Sequence, residues 1–221
     1  MRSSVSVDDF LKHVYLIGKD DQLKVTSSLL ASSLQVSSPA VTDMARKLSR
    51  KGLVKYEKYQ ALKLTAQGTA RALKLVRRHR LWEAFLYQIL GMDLQSIHTE
   101  AERLEHQSSD ALMERIADYL GQPAIDPHGD PIPGPQGQMP VVAQHKRLCE
   151  MVPDEQGVVV RLIYKTAENA MFYDKHSVVL GQTIMVVTRN KPDGSMEVEC
   201  GGHRFFVGFR QASQIYLERK E

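Results

Sequence analysis

Residues 35–52 read QVSSPAVTDMARKLSRKG, and this stretch decides the fold of the first third of the chain. Ser37 or Ser38 is placed to cap a helix, Pro39 falls in its first turn, and Gly52 follows its end. The apolar residues between these signals recur at helical spacing, at Val41, Met44, Ala45 and Leu48. The stretch therefore predicts a helix between the serine pair and Gly52.

The segments on either side complete a DNA-binding pattern. Upstream, KVTSSLLASSL at 24–34 predicts a shorter helix capped by Thr26 or Ser27, and apolar spacing predicts another helix at 7–17. Two helices joined by a short turn, the second rich in Ser, Thr, Arg and Lys, are typical of a helix-turn-helix. Downstream, LVKYEKYQALKLT at 53–65 alternates about a polar tip and predicts a two-stranded hairpin, or wing. We expect a winged helix-turn-helix domain at residues 1–72.

Positive charge is concentrated in the same region. The whole chain has a net charge of +3, but residues 1–80 hold 16 Lys and Arg against 6 Asp and Glu, whereas residues 81–221 hold 13 against 20. Twelve basic residues and a single acidic one, Glu57, lie from Arg46 to Arg80. This density suits a phosphate backbone, although such a run is also common on solvated surfaces.

The remaining sequence predicts a helical domain followed by a β domain. The segment 69–90 is basic, then apolar, and predicts a long linking helix, and 109–121 predicts a further amphipathic helix. The Pro- and Gly-rich residues 122–140 cannot form regular structure. From residue 157 onward, five short strand patterns predict a small barrel. The fold class is therefore mainly α with a small β domain, with a helical domain at 73–140 and a β-barrel at 141–221.

The nine residues HTEAERLEH at 98–106 carry two histidines and three glutamates. On a helix, four of these donors fall within an arc of about 100°. They are His98, Glu102, Glu105 and His106. Carboxylates crowded together in a partly dry place are unfavourable unless a cation lies among them, and a divalent metal ion would serve. The alternative is a solvated helix that forms salt bridges through Arg103.

A second donor pair, His79 and Glu83, lies four residues apart on the predicted linking helix. Such a pair is often only a surface hydrogen bond, but two helices that both present His and Glu are how helical bundles build metal sites. Imidazole and carboxylate donors without a nearby cysteine suit Mn(II), Fe(II) or Mg(II).

The cysteine content and the N-terminal sequence bear on the compartment. Cys149 and Cys200 belong to no CxxC pair, which favours a reducing compartment. The N-terminal residues lack the apolar run of a signal peptide, and no stretch approaches the length of a membrane span. We expect a cytoplasmic protein that does not contact the membrane.

Three motifs together resemble the diphtheria toxin repressor family of iron- and manganese-dependent transcriptional regulators. They are HxEAxRxEH at 98–106, RHRL at 78–81 and HGDPIPG at 128–134, and SSPAV at 37–41 with GLV at 52–54 agrees with the family's recognition helix and wing. The resemblance spans nearly the whole chain and is greatest to manganese-responsive members with a C-terminal SH3-like domain. It implies a homodimer that binds double-stranded palindromic operator DNA and represses metal-uptake genes.

The resemblance also implies two sets of metal ligands. The primary site would use Asp9, Glu102, Glu105 and His106, and an ancillary site would use His79, Glu83 and His98. Iron-responsive members have a methionine in place of Asp9 and a cysteine in place of Glu102, so the carboxylates here favour Mn(II) as corepressor, with Fe(II) as the alternative.

Three positions depart from the family pattern. Lys12 stands where short, two-domain manganese regulators have a glutamate, and a charged lysine cannot bind a metal, so their closely coupled pair of ions is not expected here. Some three-domain family members take a Glu and a Gln of the β domain as ancillary ligands. The matching positions here hold Asn169 and Phe172, and Glu168 lies one residue away from the match, so the β domain is left out of the ligand set. Asp43 stands where family members often have an amide side chain, so we expect an operator sequence that differs from theirs.

The expected DNA-binding residues lie on the recognition helix and the wing. They are Ser37, Ser38, Pro39, Ala40, Thr42, Asp43, Arg46, Lys47, Arg50 and Lys58. One of the two serines is also expected to cap the helix.

Two other functions are compatible with parts of the pattern. A metallohydrolase also needs clustered His and Glu, but the sequence has no separate acid/base motif and an enzyme would leave the basic region without a role. A winged-helix protein with a purely structural acidic cluster is the other alternative.

Overall fold

The computed structural model describes residues 6–19, 24–58, 60–141, 145–164 and 167–219. The first unit contains α1 (Val7–Gly18), α2 (Ser27–Ser33), α3 (Ser38–Arg50) and the strands β1 (Val54–Lys55) and β2 (Lys63–Leu64). The two strands pair antiparallel, as predicted for the wing. Tyr59, which the hairpin prediction included, lies outside the described residues, as do residues 20–23.

The helices of this unit begin where the sequence predicts. The side-chain oxygens of Ser6, Thr26 and Ser37 accept hydrogen bonds from backbone N–H groups in the first turns of α1, α2 and α3, respectively. Each cap satisfies a donor that the helix itself leaves unpaired. Ser37, rather than Ser38, therefore caps the recognition helix, and α3 packs through Val41, Ala45 and Leu48 into a shared apolar core.

The helical unit is built on α4 (Ala66–Gln88), whose 23 residues run without a break from the end of the wing. It packs against α5 (Ser96–Glu105) and α6 (Asp110–Tyr119). Small apolar cores lie on two of its faces, one with Leu81 and Met113, the other with Leu86 and Ile97. Because α4 belongs to both units, the first unit is joined to the helical unit by a continuous helix.

The Pro- and Gly-rich segment is irregular, as predicted, yet it docks firmly. Asp126 accepts hydrogen bonds from the backbone N–H groups of His128 and Asp130, and the His128 carbonyl accepts one from Leu162. Gly129 has φ +85°, and a Cβ there would lie 2.0 Å from the carbonyl oxygen of Val160. Only glycine allows the segment to approach the β domain this closely.

The C-terminal unit is a six-stranded antiparallel sheet in the order β3-β8-β4-β5-β6-β7. The strands are β3 (Lys146–Arg147), β4 (Gln156–Leu162), β5 (Thr183–Arg189), β6 (Met196–Cys200), β7 (His203–Val207) and β8 (Ile215–Arg219). Two helices, α7 (Ala167–Lys175) and the short α8 (Phe209–Ala212), complete the unit. The five predicted strands are confirmed, and β3 is an additional short strand.

The apolar interior of this unit contains both cysteines, each of them free. Among the described residues, no helix combines the length and apolar character that a bilayer crossing requires.

Candidate metal centre

The first cluster, here called the primary cluster, contains Asp9, Glu105 and His106. Asp9 comes from the first turn of α1, where Ser6 donates a hydrogen bond to its Oδ2 at 2.7 Å. Glu105 ends α5 and His106 follows as its C-cap. His106 Nε2 lies 2.8 Å from Asp9 Oδ1 and 3.5 Å from Glu105 Oε1. One ligand atom from each residue lies within 4.8 Å of the others, so a single ion could contact all three.

The second cluster, here called the ancillary cluster, contains His79 and Glu83 from α4 and His98 from α5. His79 Nε2 lies 3.0 Å from Glu83 Oε1, and His98 Nδ1 lies 3.1 Å from the same oxygen. The ligand atoms of these residues also lie within 4.8 Å of one another. The structure thus brings together all the residues predicted for the ancillary site.

The two clusters touch through Glu105. Its Oε2 lies 2.6 Å from His79 Nδ1, while its Oε1 faces His106. Burial would lower the pKa of His79, but the charge of Glu83 and hydrogen bonds to Glu105 and Glu83 raise it to about 9. The pKa of Glu83 is well below its usual value, because the His79 charge and hydrogen bonds from His128, His79 and His98 outweigh the effect of burial. Without metal, a protonated His79 therefore neutralises part of the acidic charge.

Lys12 from α1 is also buried in this centre. Its Nζ donates to both carboxylate oxygens of Glu105 at 2.8 Å and lies 3.2 Å from His79 Nδ1. Burial would raise the pKa of Glu105, but the His79 hydrogen bond and the Lys12 charge lower it. Lys12 therefore binds a predicted metal ligand instead of acting as one.

Glu102 lies apart from the other predicted primary ligands. Its side chain is half exposed, and Oε1 is 3.6 Å from His98 Nε2, at the outer side of the ancillary cluster. Its place in the primary site remains a prediction. Asn169 and Glu168 of the β domain lie elsewhere: Asn169 is buried and donates to the Ile163 carbonyl and to the Gln214 side chain, and Glu168 is exposed.

Two acid–base groups near the ancillary cluster were missed by the sequence analysis. His128 is buried, its Nε2 lies 3.7 Å from Glu83 Oε1, and its Nδ1 has no hydrogen-bond partner among the described residues. Burial, followed by the charges of Glu83 and Asp130, raises the pKa of Asp126 to about 7. Asp126 Oδ2 lies 3.5 Å from Arg80 Nε. The sequence motif HGDPIPG contains His128, but nothing local in the motif indicates that this histidine lies against Glu83 of α4.

The donor chemistry of the centre fits a divalent transition-metal ion. In each cluster, carboxylate and imidazole ligand atoms lie within 4.8 Å of one another. His79, Glu83 and Glu105 are buried, whereas the other donors are half-buried or exposed. Both cysteines lie in the core of the β domain. Such oxygen- and nitrogen-rich sites suit Mn(II) or Fe(II) better than softer ions.

The predicted DNA-binding residues form an exposed surface. All of those on α3 are exposed except Thr42, which is half-buried, and Lys58 of the wing is exposed too. The carboxylate of Asp43 lies 3.8 Å from the guanidinium of Arg46. The surface is therefore accessible to DNA, and the Asp43 carboxylate lies among its basic groups.

The apolar residues on α4 and α6 divide into two groups. Ile116 and Leu86 are buried in the helical cores, so core packing explains them, whereas Leu112 is exposed. Further exposed apolar residues on or beside α4 and α6 are Tyr87, Ile89, Leu90 and Tyr119.

The first unit is a winged helix-turn-helix domain, and its first helix shares a cluster of carboxylates and imidazoles with the helical domain. This combination defines a metal-dependent DNA-binding regulator. Three family models match nearly the whole chain: the iron dependent repressor N-terminal DNA binding domain at 4–62, the iron dependent repressor metal binding and dimerisation domain at 65–134, and the FeoA domain at 146–219. The chain belongs to the iron-dependent (diphtheria toxin) repressor family.

Curated relatives agree with this assignment. An uncharacterised helix-turn-helix transcriptional regulator of Methanocaldococcus jannaschii is 37% identical over 117 residues, which cover 53% of this chain and 94% of that protein. The diphtheria toxin repressor of Corynebacterium efficiens is 33% identical over 125 residues, which cover 57% of this chain but only 54% of that repressor. The iron-dependent repressor IdeR of Mycobacterium leprae is 28% identical over 176 residues, 69% of this chain and 76% of that protein.

Solved structures match over almost the full length. A manganese-dependent transcriptional repressor in complex with manganese has a TM-score of 0.90 at 33% identity and covers 97% of this chain and 100% of its own. The manganese regulator SloR has a TM-score of 0.82 at 32% identity and covers 99% of this chain and 100% of its own. ScaR with bound Cd²⁺ has a TM-score of 0.84 at 32% identity and covers 98% of this chain and 100% of its own.

These matches confirm the predicted fold class and the function as a metal-dependent transcriptional repressor that dimerises and binds operator DNA. The names of these relatives differ in the metal: iron for IdeR of Mycobacterium leprae, and manganese for the first repressor structure and for SloR.

Proposed function

We propose that this chain is a Mn(II)-responsive repressor of metal-uptake genes, with Fe(II) as the alternative corepressor. The donor set supports this choice, because Asp9 and Glu102 place carboxylates where iron-responsive relatives have softer sulfur ligands. The structural relatives named as manganese-dependent support it further. A repressor that acts when the metal is plentiful suits genes whose products import that metal.

The observation that carries the proposal is the position of Asp9. This residue belongs to the DNA-binding unit, yet it lies against His106 at the end of α5 in the helical domain. Asp9, Glu105 and, after a side-chain rotation, Glu102 would hold the ion together with His106. A bound divalent ion supplies positive charge and bonds to donors from both units.

The consequence of this arrangement is a fixed orientation of the recognition helix. Without a bound metal ion, the carboxylates of Asp9 and Glu105 repel each other, and the Lys12–Glu105 ion pair must hold α1 against this repulsion. When they are held together, α1 stays docked and α3 keeps one position relative to the helical domain. In a two-fold homodimer, two such helices then match successive major grooves of a palindromic operator.

The residues of the ancillary cluster would bind a second ion between α4 and α5. His79, Glu83 and His98 hold these two helices together, and so they support the frame on which the primary cluster is built. On the DNA side, we assign groove contacts to Ser37, Ser38, Pro39, Ala40, Thr42 and Asp43, and phosphate contacts to Arg46, Lys47, Arg50 and Lys58.

We further propose that the centre is regulatory, not catalytic, and that the protein works in the cytoplasm. Membership of a DNA-binding repressor family supports the first statement. The second follows from the location of operator DNA and agrees with two free, buried cysteines.

Fluorescence anisotropy with a library of palindromic promoter fragments tests the proposal. The rise in anisotropy on DNA binding should disappear with chelator and be restored best by Mn(II), less well by anaerobic Fe(II), and least by Zn(II). Glu102→Gln and Glu105→Gln should abolish the metal dependence of DNA binding. Glu100→Gln changes a partly exposed glutamate of the same helix, paired with Arg103, and should not. Equal DNA binding after complete removal of divalent ions would refute the proposal.

A further inference from the structure

Lys12 belongs to neither predicted ligand set, yet it lies at the middle of the centre. Only 4% of the residue is exposed. An ammonium group is rarely buried this deeply unless acidic partners compensate for its lost hydration. Glu105, whose side chain is 1% exposed, supplies both of its oxygens to Nζ.

The position of Lys12 makes it a competitor of any ion that Glu105 binds. Both oxygens of Glu105 already accept hydrogen bonds from the ammonium group at 2.8 Å. An ion bonded to one of these oxygens at about 2–2.5 Å would lie within a few ångströms of Nζ. Since like charges at this distance repel, Lys12 must release at least one oxygen when the ion binds.

Lys12 also joins the same two units that the metal would join. It is carried by α1 of the DNA-binding unit, while Glu105 ends α5 and His79 lies on α4. The ion pair from Nζ to Glu105, close beside His79, therefore crosses the junction between the units without any metal.

We propose that Lys12 is a resident counter-ion of Glu105, which holds α1 on the helical domain in the metal-free protein and sets the metal concentration to which the protein responds. The inference rests on the proposed function and adds a determinant of its threshold. Lys12 acts here as a positioning and affinity-determining residue, because it touches a ligand and not the ion.

Two neutral variants test this role. Lys12→Met keeps the length and apolar stem of the side chain, and Lys12→Gln keeps one donor for Glu105 if the methionine variant folds poorly. Mn(II) binding is measured directly on the full-length protein by the electron paramagnetic resonance signal of free Mn(II), and thermal unfolding is measured with chelator and with saturating Mn(II).

Both variants should bind Mn(II) at the primary cluster about tenfold more tightly or better, because the competing charge is gone. The midpoint of thermal unfolding should fall in chelator and change much less in saturating Mn(II). Lys12→Arg, which keeps the charge, should resemble the wild type in both measurements. Lys74→Met removes an exposed lysine that pairs with Asp110 on the surface, and it should change neither.

The outcomes separate this inference from the proposed function. Saturable Mn(II) binding that is unchanged or weakened in both neutral variants would overturn the role of Lys12 and leave the proposed function intact. A wild-type protein that binds no Mn(II) and no Fe(II) would refute the proposed function itself, and with it the threshold role of Lys12.

Discussion

Replacement of Glu105 by glutamine should destabilise the metal-free protein strongly. Glu105 is buried and compensates both Lys12 at 2.8 Å and His79 at 2.6 Å. Removing one partner of a buried ion pair leaves the other charge uncompensated and typically costs about 3–5 kcal/mol. Because the amide still accepts one hydrogen bond, we expect a loss near the lower end, about 3 kcal/mol. For a chain of this size, that corresponds to a thermal midpoint lower by roughly 6–12 °C.

The pH dependence of this loss distinguishes a charge effect from a packing effect. The folded-state pKa of Glu105 is lowered, so its stabilisation is fully present above the unfolded glutamate pKa of about 4.3 and is lost as the pH falls toward the folded value. Calorimetry in chelator at pH 7 and at pH 4 should therefore show a large difference between wild type and Glu105→Gln that shrinks in acid.

The matched control is Glu100→Gln on the same helix. Glu100 forms an exposed ion pair with Arg103, and such pairs contribute about 0–1 kcal/mol. If Glu100→Gln and Glu105→Gln lower the midpoint equally at pH 7, the buried network around Lys12 does not stabilise the metal-free protein, and the reasoning is wrong.

Three other predictions concern separate parts of the molecule. Because His79 has a raised pKa of about 9, metal binding at the ancillary cluster near pH 7.5 should release a proton, and the metal affinity should rise with pH until about pH 9. Titration calorimetry in two buffers of different ionisation enthalpy measures this proton release. Binding heats that do not depend on the buffer would contradict it. Gly129→Ala should lower the free energy of unfolding by about 2 kcal/mol or more, because the positive φ and the nearby Val160 carbonyl both oppose a Cβ. Faster hydrogen exchange at the Leu162 amide, which donates to the His128 carbonyl, would report that the segment no longer packs on the β domain. Exchange at the wild-type rate would refute this prediction. Lys47→Ala should weaken binding to all DNA sequences similarly and reduce the slope of log affinity against log salt by about 1, and an unchanged slope would remove this lysine from the phosphate contacts.

The sequence predicts most of the architecture because local signals dominate there. The serine cap of α3, the helical spacing after it and the alternation in the wing each specify structure within a dozen residues. The ancillary cluster could also be anticipated, since His79 and Glu83 lie on adjacent turns of one helix and His98 opens a motif of its own.

The remaining features depend on contacts between distant segments. The ion pair between Lys12 and Glu105 forms because α1 docks on α5. No sequence pattern near either residue specifies this contact. His128 approaches Glu83 because the irregular segment packs against α4, and Gly129 lets the same segment lie against the β domain. Glu102 shares a helix with Glu105, but its side-chain rotamer, which periodicity cannot predict, turns it toward His98.

The unbroken course of α4 has a mechanical consequence. Its 23 residues form a rod of about 34 Å, with the wing at one end and the donors His79 and Glu83 toward the other. The donors lie about 20–26 Å from the wing end, so a tilt of about 8° at the donors would displace that end by about 3 Å, close to the spacing of one base pair along DNA, about 3.4 Å. A sub-ångström adjustment of side chains can thus become a misalignment that a double helix is able to detect.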